Sequence, residues 1–167
     1  IGQKIGADRL DEYTRRFGFG RRLSGDFNGE NPGKVWLPEE LNPSALASVS
    51  MGYQISVTPL QMAVATSVIA NGGNLIEPHV VKAFAANGRR VKMKREDPQR
   101  VITRATATTV TSMMEDVVRR GTATRAQIPG YTIAGKTGTA AKFVNGAYSK
   151  SLYNSSFVGF TPSRAPE

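Results

Sequence analysis

The sequence predicts an α+β fold in which helices flank an antiparallel sheet. Helical and strand patterns occupy separate blocks of the chain instead of alternating, which argues against a parallel sheet built from crossover units. Asn87-Gly88 and Asn145-Gly146 each interrupt an extended run in the manner of a tight turn. A glycine-bearing strand, Tyr131 to Ala140, follows the last helix and precedes a turn and a second strand.

The first helix is expected from about Ala7 to Phe17, where Leu10, Tyr13 and Phe17 recur at helical spacing and Gly18 stands at the C-terminal cap. Gly18 to Pro43 is rich in Gly, Pro, Asn and charge and reads as an extended loop, with Trp36 and Leu37 expected to pin it to the body. The second helix has a sharp start. Thr58 is the N-cap, Pro59 suits the first helical position and Gln61 completes a capping box. Its apolar run Met62 to Ala70, stopped by Asn71-Gly72-Gly73, implies a helix buried on most sides. Pro78 to Met93 reads as a hairpin, with His79 to Phe84 and Arg89 to Met93 as its arms. A third helix starts near Thr103, places Val110, Met113, Met114, Val117 and Val118 on one core face and ends at Gly121. Ser155 to Thr161 is the last strand, stopped by Pro162.

Bulk properties bound the function. A chain of 167 residues, 40% hydrophobic and 21% charged, suits one domain or a large piece of one, with a buried core. The net charge is +9, from 22 Lys+Arg against 13 Asp+Glu. Nucleic acid, an anionic membrane surface and an acidic substrate each suit that charge, as does simple solubilisation by dispersed cations. The densest basic group, Arg89, Arg90, Lys92, Lys94 and Arg95, sits around a turn, and no nucleic-acid motif accompanies it. With no cysteine, disulfides and thiolate metal sites are excluded. Met62 to Ala70 is too short to span a bilayer, and Ile1-Gly2-Gln3-Lys4 is neither a signal peptide nor a start with Met. The chain therefore reads as part of a longer one, with any membrane anchor upstream of Ile1.

The chemically informative run is Ala134-Gly135-Lys136-Thr137-Gly138-Thr139-Ala140. Glycines weaken a strand interior unless another backbone must come close, and a bare strand edge accepts an extended peptide through main-chain hydrogen bonds. Gly138 leaves room for that partner. Lys136 brings a positive charge, while Thr137 and Thr139 fall on one side of the strand and offer two hydroxyl donors to a carboxylate. A backbone N–H beyond Gly138 is available to a developing oxyanion. Alone, a Lys-Thr-Gly triplet is far more often an ordinary strand; its setting in a Gly-flanked strand after a helix and before a turn and second strand distinguishes it. The single histidine, His79, offers no Ser-His-Asp triad, and no His/Asp/Glu spacing resembles a metal-ligand set. Tyr148, Tyr153 and Phe157 suit a groove lining or simple turn and strand packing equally well.

These motifs resemble a known family. Lys-Thr-Gly is a signature of penicillin-binding proteins and related serine β-lactamases. Gly52 to Ala63, Ile69-Ala70-Asn71-Gly72-Gly73, Gly121-Thr122-Ala123, Ala134 to Ala140 and Ser156 to Pro162 occur in the order seen in the transpeptidase domain of class B penicillin-binding proteins. Tyr148 to Pro162 looks more like the division or sporulation branch than the elongation branch. The resemblance implies a penicillin-binding protein/serine β-lactamase-like fold and a peptidoglycan D,D-transpeptidase. Lys136, Thr137, Gly138 and Thr139 would bind substrate, the Thr139 N–H would be an oxyanion donor, and no cofactor or metal is implied. Implied partners are peptidoglycan stem peptides, β-lactam antibiotics and, for a division enzyme, divisome proteins. The implied location is the outer face of the cytoplasmic membrane in the bacterial cell envelope.

The chain departs from the family in two respects. No serine begins a Ser-x-x-Lys, and no Ser-x-Asn is present; Ser24-Gly25-Asp26 comes nearest. Residues 1–167 are therefore expected to be a partial transpeptidase domain, incomplete at both ends, with the nucleophile and its base lysine in a missing remainder that the fragment needs for activity. The competing expectation keeps the fold without turnover, as a penicillin-sensing or peptide-binding domain.

Overall fold

The computed structural model describes residues 1–166 and has the expected α+β organisation, with three separate two-stranded antiparallel sheets among helices. The chain opens with α1 (Gly2–Ile5) and α2 (Ala7–Arg16). Gly18, in the left-handed region at φ 94°, turns the chain away from α2 and donates to Arg15 O at 2.9 Å. Arg16 reaches across to the carbonyl of Val101, fixing α2 against a distant segment.

The loop from Gly18 is ordered by carboxylates that accept backbone N–H groups. Glu30 is buried and satisfied by Leu23 N–H at 2.8 Å and Ser24 N–H at 2.9 Å. Asp26 accepts from Val80 N–H at 3.1 Å and Val81 N–H at 2.7 Å, and Glu77 accepts from Gly25 N–H at 3.0 Å. Trp36 is half-buried, donates its indole N–H to Gln54 O and carries the Lys34 ammonium over its ring at 4.4 Å. Leu37 does not share that role: it is 45% exposed and leads into a single 3-10 turn, Pro38–Glu40.

A helix that hydrophobic periodicity does not reveal follows: α3 (Pro43–Ser50), capped by Asn42 Oδ1, which accepts from Ala45 N–H at 2.9 Å. Only Leu46 of α3 is buried, which explains the weak pattern.

Helix α4 (Pro59–Ala70) has the expected capping box. Gln61 N–H donates to Thr58 Oγ1 at 3.1 Å, and Thr58 N–H donates to Gln61 Oε1 at 3.0 Å. The Gln61 side chain has no exposed surface, and its amide Nε2 donates to Arg21 O at 3.0 Å and Pro32 O at 2.9 Å. One residue thus caps α4 and binds the loop to it. From α4, Val64 and Val68 form the core with Leu23, Leu75 and Val101, flanked by Phe17, Leu60 and Ile102.

Two short strands, β1 (Asn74–Leu75) and β4 (Gln99–Arg100), pair beside this core. Between them β2 (Ala83–Ala86) and β3 (Arg89–Lys92) form the expected hairpin in shorter form, turning through Asn87 at φ 52° and Gly88 at φ 73°. Helix α5 (Arg104–Arg120) starts at the N-cap Thr103, whose hydroxyl accepts from Thr106 N–H at 3.1 Å. Its Ala107, Met114 and Val118 are buried, whereas Met113, expected in the core, is 61% exposed. The buried stripe runs through 107, 114 and 118, one step round the helix from Met113. Near the C-terminal end of α5, Arg120 and then Arg119 hold the Asp116 carboxyl below the usual carboxylate range. Neither α4 nor α5 is long and apolar enough to cross a membrane.

Replacing Gln61 with Ala removes the side-chain half of the box, keeps the backbone N–H half, and leaves two loop carbonyls without their donor. Unfolding in urea is expected to show a loss of about 2–4 kcal/mol. An unchanged midpoint would mean that solvent satisfies those carbonyls. The N–H groups of Val81 and then Val80 hold the Asp26 carboxyl below its usual range. A lowered folded value stabilises above the unfolded pKa, about 4 for an aspartate, and is lost as pH falls through the folded value. The stability difference between wild type and Asp26→Asn should therefore be flat above about pH 5 and shrink toward pH 3.

Candidate active site

The last two strands form one long hairpin. Strand β5 (Ala134–Val144) pairs with β6 (Ala147–Phe160) through a turn at Asn145, φ 53°, and Gly146, φ 82°. The sequence pattern splits this unit because residues 147–154 are mostly exposed and their apolar residues, Tyr148, Leu152 and Tyr153, do not alternate with polar ones. The register shifts between Ala141 and Phe143, where Ser149 Oγ accepts from Leu152 N–H at 2.9 Å. Tyr148 packs edge-on against Phe143, with ring centroids 5.2 Å apart, and against Tyr53 at 5.1 Å. Tyr148 thus makes aromatic packing contacts while remaining 47% exposed.

Directly opposed residues share a face of an antiparallel pair. Lys136 lies opposite Val158 and Gly138 opposite Ser156, so these four share one face. Thr137 opposes Phe157 and Thr139 opposes Ser155 on the other. The two threonines thus share a face, as the alternation of a strand requires. Among the described residues β5 pairs with β6 alone, which leaves its second edge without a partner strand.

The two faces differ chemically. Lys136 borders an apolar cavity of ≈ 420 Å³ together with Met62 of α4, Val110 and Met113 of α5 and Val158. Its ammonium donates to Thr137 O at 2.6 Å. On the opposite face Thr137 is half-buried and its Oγ1 lies 2.7 Å from Thr122 Oγ1, while Thr139 is exposed. Thr122 belongs to the segment after α5, and its role has no signature in the sequence because the contact joins residues fifteen apart. Gly121 ends α5 as expected, but at φ −107° it is not a left-handed cap. A Cβ there would sit 2.8 Å from Val117 Cα, so close packing requires the glycine.

The glycines of β5 answer to their own hairpin. A Cβ on Gly138 would lie 2.5 Å from Ser156 Oγ, and one on Gly135 would lie 2.7 Å from Phe157 Cε2 and 3.1 Å from Val158 O. The crowding groups are side chains and a carbonyl of β6, a neighbour within the chain and not the added peptide that the sequence reading expects. Phe157 folds its ring over Gly135. His79 lies exposed in the loop before β2, outside the site.

The whole chain, residues 1–167, matches the penicillin binding protein transpeptidase domain, and the chain belongs to that family. It is 34% identical to stage V sporulation protein D of Bacillus subtilis, over 99% of this chain and 26% of that protein. It is 35% identical to penicillin-binding protein PbpB of Mycobacterium tuberculosis, over 99% of this chain and 26% of that protein. With peptidoglycan D,D-transpeptidase MrdA of Acinetobacter baumannii it shares 32% identity, over 100% of this chain and 28% of that protein. The chain thus spans about a quarter of the length of the curated relatives it matches, 26–28% in these three. The crystal structure of penicillin binding protein 3 from Mycobacterium tuberculosis complexed with ampicillin superposes with a TM-score of 0.92 at 35% identity, covering 98% of this chain and 38% of that one. The apo transpeptidase domain of Burkholderia pseudomallei penicillin-binding protein 3 gives 0.83 at 30% identity, over 99% of this chain and 49% of that one.

Gly135→Ala drives a methyl into the Phe157 ring and is expected to cost about 1–3 kcal/mol in thermal or urea unfolding. In a Phe157→Ala background the same substitution should cost less than it does in the wild type. Strict additivity of the two changes would show that the loss does not arise from the Phe157 ring.

Proposed function

We propose that this chain is the Lys-Thr-Gly-bearing part of a serine D,D-transpeptidase that cross-links peptidoglycan stem peptides and is acylated by β-lactams. The observation that carries the reading is the hydroxyl pair Thr137 and Thr139 on one face of a strand whose outer edge has no partner among the described residues. An extended peptide adds to such an edge through main-chain hydrogen bonds. The threonine hydroxyls donate to its C-terminal carboxylate, Lys136 supplies the nearby positive charge, and Gly138 keeps the strand slim beside them. The Thr139 N–H is one donor to the tetrahedral oxyanion.

The nucleophile lies in a Ser-x-x-Lys outside this sequence, and a Ser-x-Asn accompanies it there. The serine Oγ attacks the penultimate D-Ala carbonyl, the amide C–N bond breaks, and D-Ala leaves with the proton delivered to its amine. An amine of a second stem then attacks the ester, its proton passes back to the serine oxygen, and the cross-link is made. This work belongs at the outer face of the cytoplasmic membrane, in the division or sporulation branch of the family, with divisome proteins as neighbours for a division enzyme. Relatives described as a sporulation protein and as peptidoglycan D,D-transpeptidases support the reading, as does the ampicillin complex of a homologous structure.

The test is covalent labelling of the full-length protein by a fluorescent penicillin, with mass mapping of the adduct. The expected adduct sits on a serine upstream of Ile1, and Lys136→Ala slows its formation by at least about tenfold, as befits loss of a charged hydrogen-bond donor. A folded full-length protein that forms no adduct would sink the proposal and leave a peptide-binding domain of the same fold.

A further inference from the structure

We infer that Thr122 is a positioning residue for carboxylate recognition, acting through the hydroxyl of Thr137; the inference rests on the reading of β5 as the carboxylate-binding strand. The two Oγ1 atoms are 2.7 Å apart, a full hydroxyl–hydroxyl hydrogen bond. Each hydroxyl has one proton to give and two lone pairs to receive. A single proton therefore lies between the two oxygens. When Thr122 supplies it, the Thr137 proton is free to point away from Thr122 and toward a substrate carboxylate. An anion beside Thr137 favours this direction, because each hydroxyl dipole in the chain then points its positive end at the negative charge. In the reverse direction Thr137 spends its proton on Thr122 and presents only lone pairs to the carboxylate, which repels it.

The backbone holds Thr122 in place for this task. Gly121 N–H and Ala123 N–H both donate to Val117 O, each at 3.1 Å, so the residues on either side of Thr122 are tied to the last turn of α5. Ala123 is buried at 3% exposure and anchors the segment in the core. The Gln127 side chain caps the next carbonyls, donating to Val118 O at 3.0 Å and Arg119 O at 3.1 Å. Thr122 is exposed and fixed by its neighbours, so its hydroxyl contributes orientation to Thr137 more than burial to the fold.

The experiment uses the full-length protein and the second-order rate of acylation by a fluorescent penicillin, compared with the methyl ester of the same penicillin. Thr122→Val keeps the branched shape and removes the hydroxyl; Thr122→Ser keeps the hydroxyl. With the free acid, Thr122→Val is expected to slow acylation about tenfold, the kinetic equivalent of one lost hydrogen bond. With the ester, which presents no anion, it should fall less than about twofold below wild type. Thr122→Ser should stay close to wild type with both reagents. Equal slowing of Thr122→Val with acid and ester would mark the residue as merely structural and overturn the inference, as would a free-acid rate equal to wild type. A wild-type protein that is not acylated at all would overturn the transpeptidase reading itself, a result distinct from any difference between variants.

Discussion

One buried amide holds much of this structure in register. Gln61 uses its Oε1 to accept from Thr58 N–H and its Nε2 to donate to Arg21 O and Pro32 O. Buried amide groups are costly unless satisfied, and here the satisfaction joins two chain segments that share no regular secondary structure. The loop from Gly18 delivers Leu23 to the core beside Val64 and Val68, held by its carbonyls on this side chain and by Glu30 on the Leu23 N–H. With α4 fixed, α5 packs against it, β5 packs against α5 and β6 against α4. The strand bearing Lys136 thus inherits its position from a capping residue that makes no direct contribution to the site.

Local rules that carry their own chemistry were legible in the sequence. Thr58-Pro59-Leu60-Gln61 encodes a reciprocal pair of hydrogen bonds within four residues, and the structure forms both. Asn87-Gly88 and Asn145-Gly146 encode positive φ at both turn positions, and both hairpins turn there. What escaped depends on contacts that no short window contains. Helix α3 buries only Leu46, so no periodicity betrays it; its signal was the N-cap and first-turn proline, Asn42-Pro43. Met113 satisfies an apolar helical pattern yet stands at the rim of a cavity, because periodicity specifies a stripe and not its edges. The outer part of the hairpin is exposed on both faces, with Phe143, Val144, Tyr148, Leu152 and Tyr153 among its solvent-facing residues, which leaves period-two alternation nothing to report.

The candidate site divides along the same line. Lys136-Thr137-Gly138-Thr139 was readable as a unit because strand alternation and side-chain chemistry suffice to place the two hydroxyls together. The reason for its glycines was not readable, since it lies in Ser156 and Phe157 of the paired strand. Thr122 stood only within a stretch quoted for the resemblance, and its hydroxyl contact with Thr137 is visible only in the folded chain. The glycine before it has a reason that sequence does not disclose, the approach of Val117 backbone at the end of α5.

The choice of donors at the strand has a consequence for turnover. A bidentate arginine would bind a carboxylate strongly and in a fixed plane. On the proposed reading, two hydroxyls and one lysine would bind it more weakly, the lysine ammonium already donating to Thr137 O. On the transpeptidase reading the recognised carboxylate belongs to the terminal D-Ala, which must depart once the acyl-enzyme forms. Binding that is equally strong before and after the reaction raises no rate and retards release. A β-lactam differs in one respect: its carboxylate stays attached to the acyl group after ring opening. On that reading, the same modest donors that would let D-Ala leave would continue to hold the opened antibiotic. The hydroxyl pair Thr122–Thr137 fits this division, since it aims a donor without adding a charge that the leaving group would have to escape.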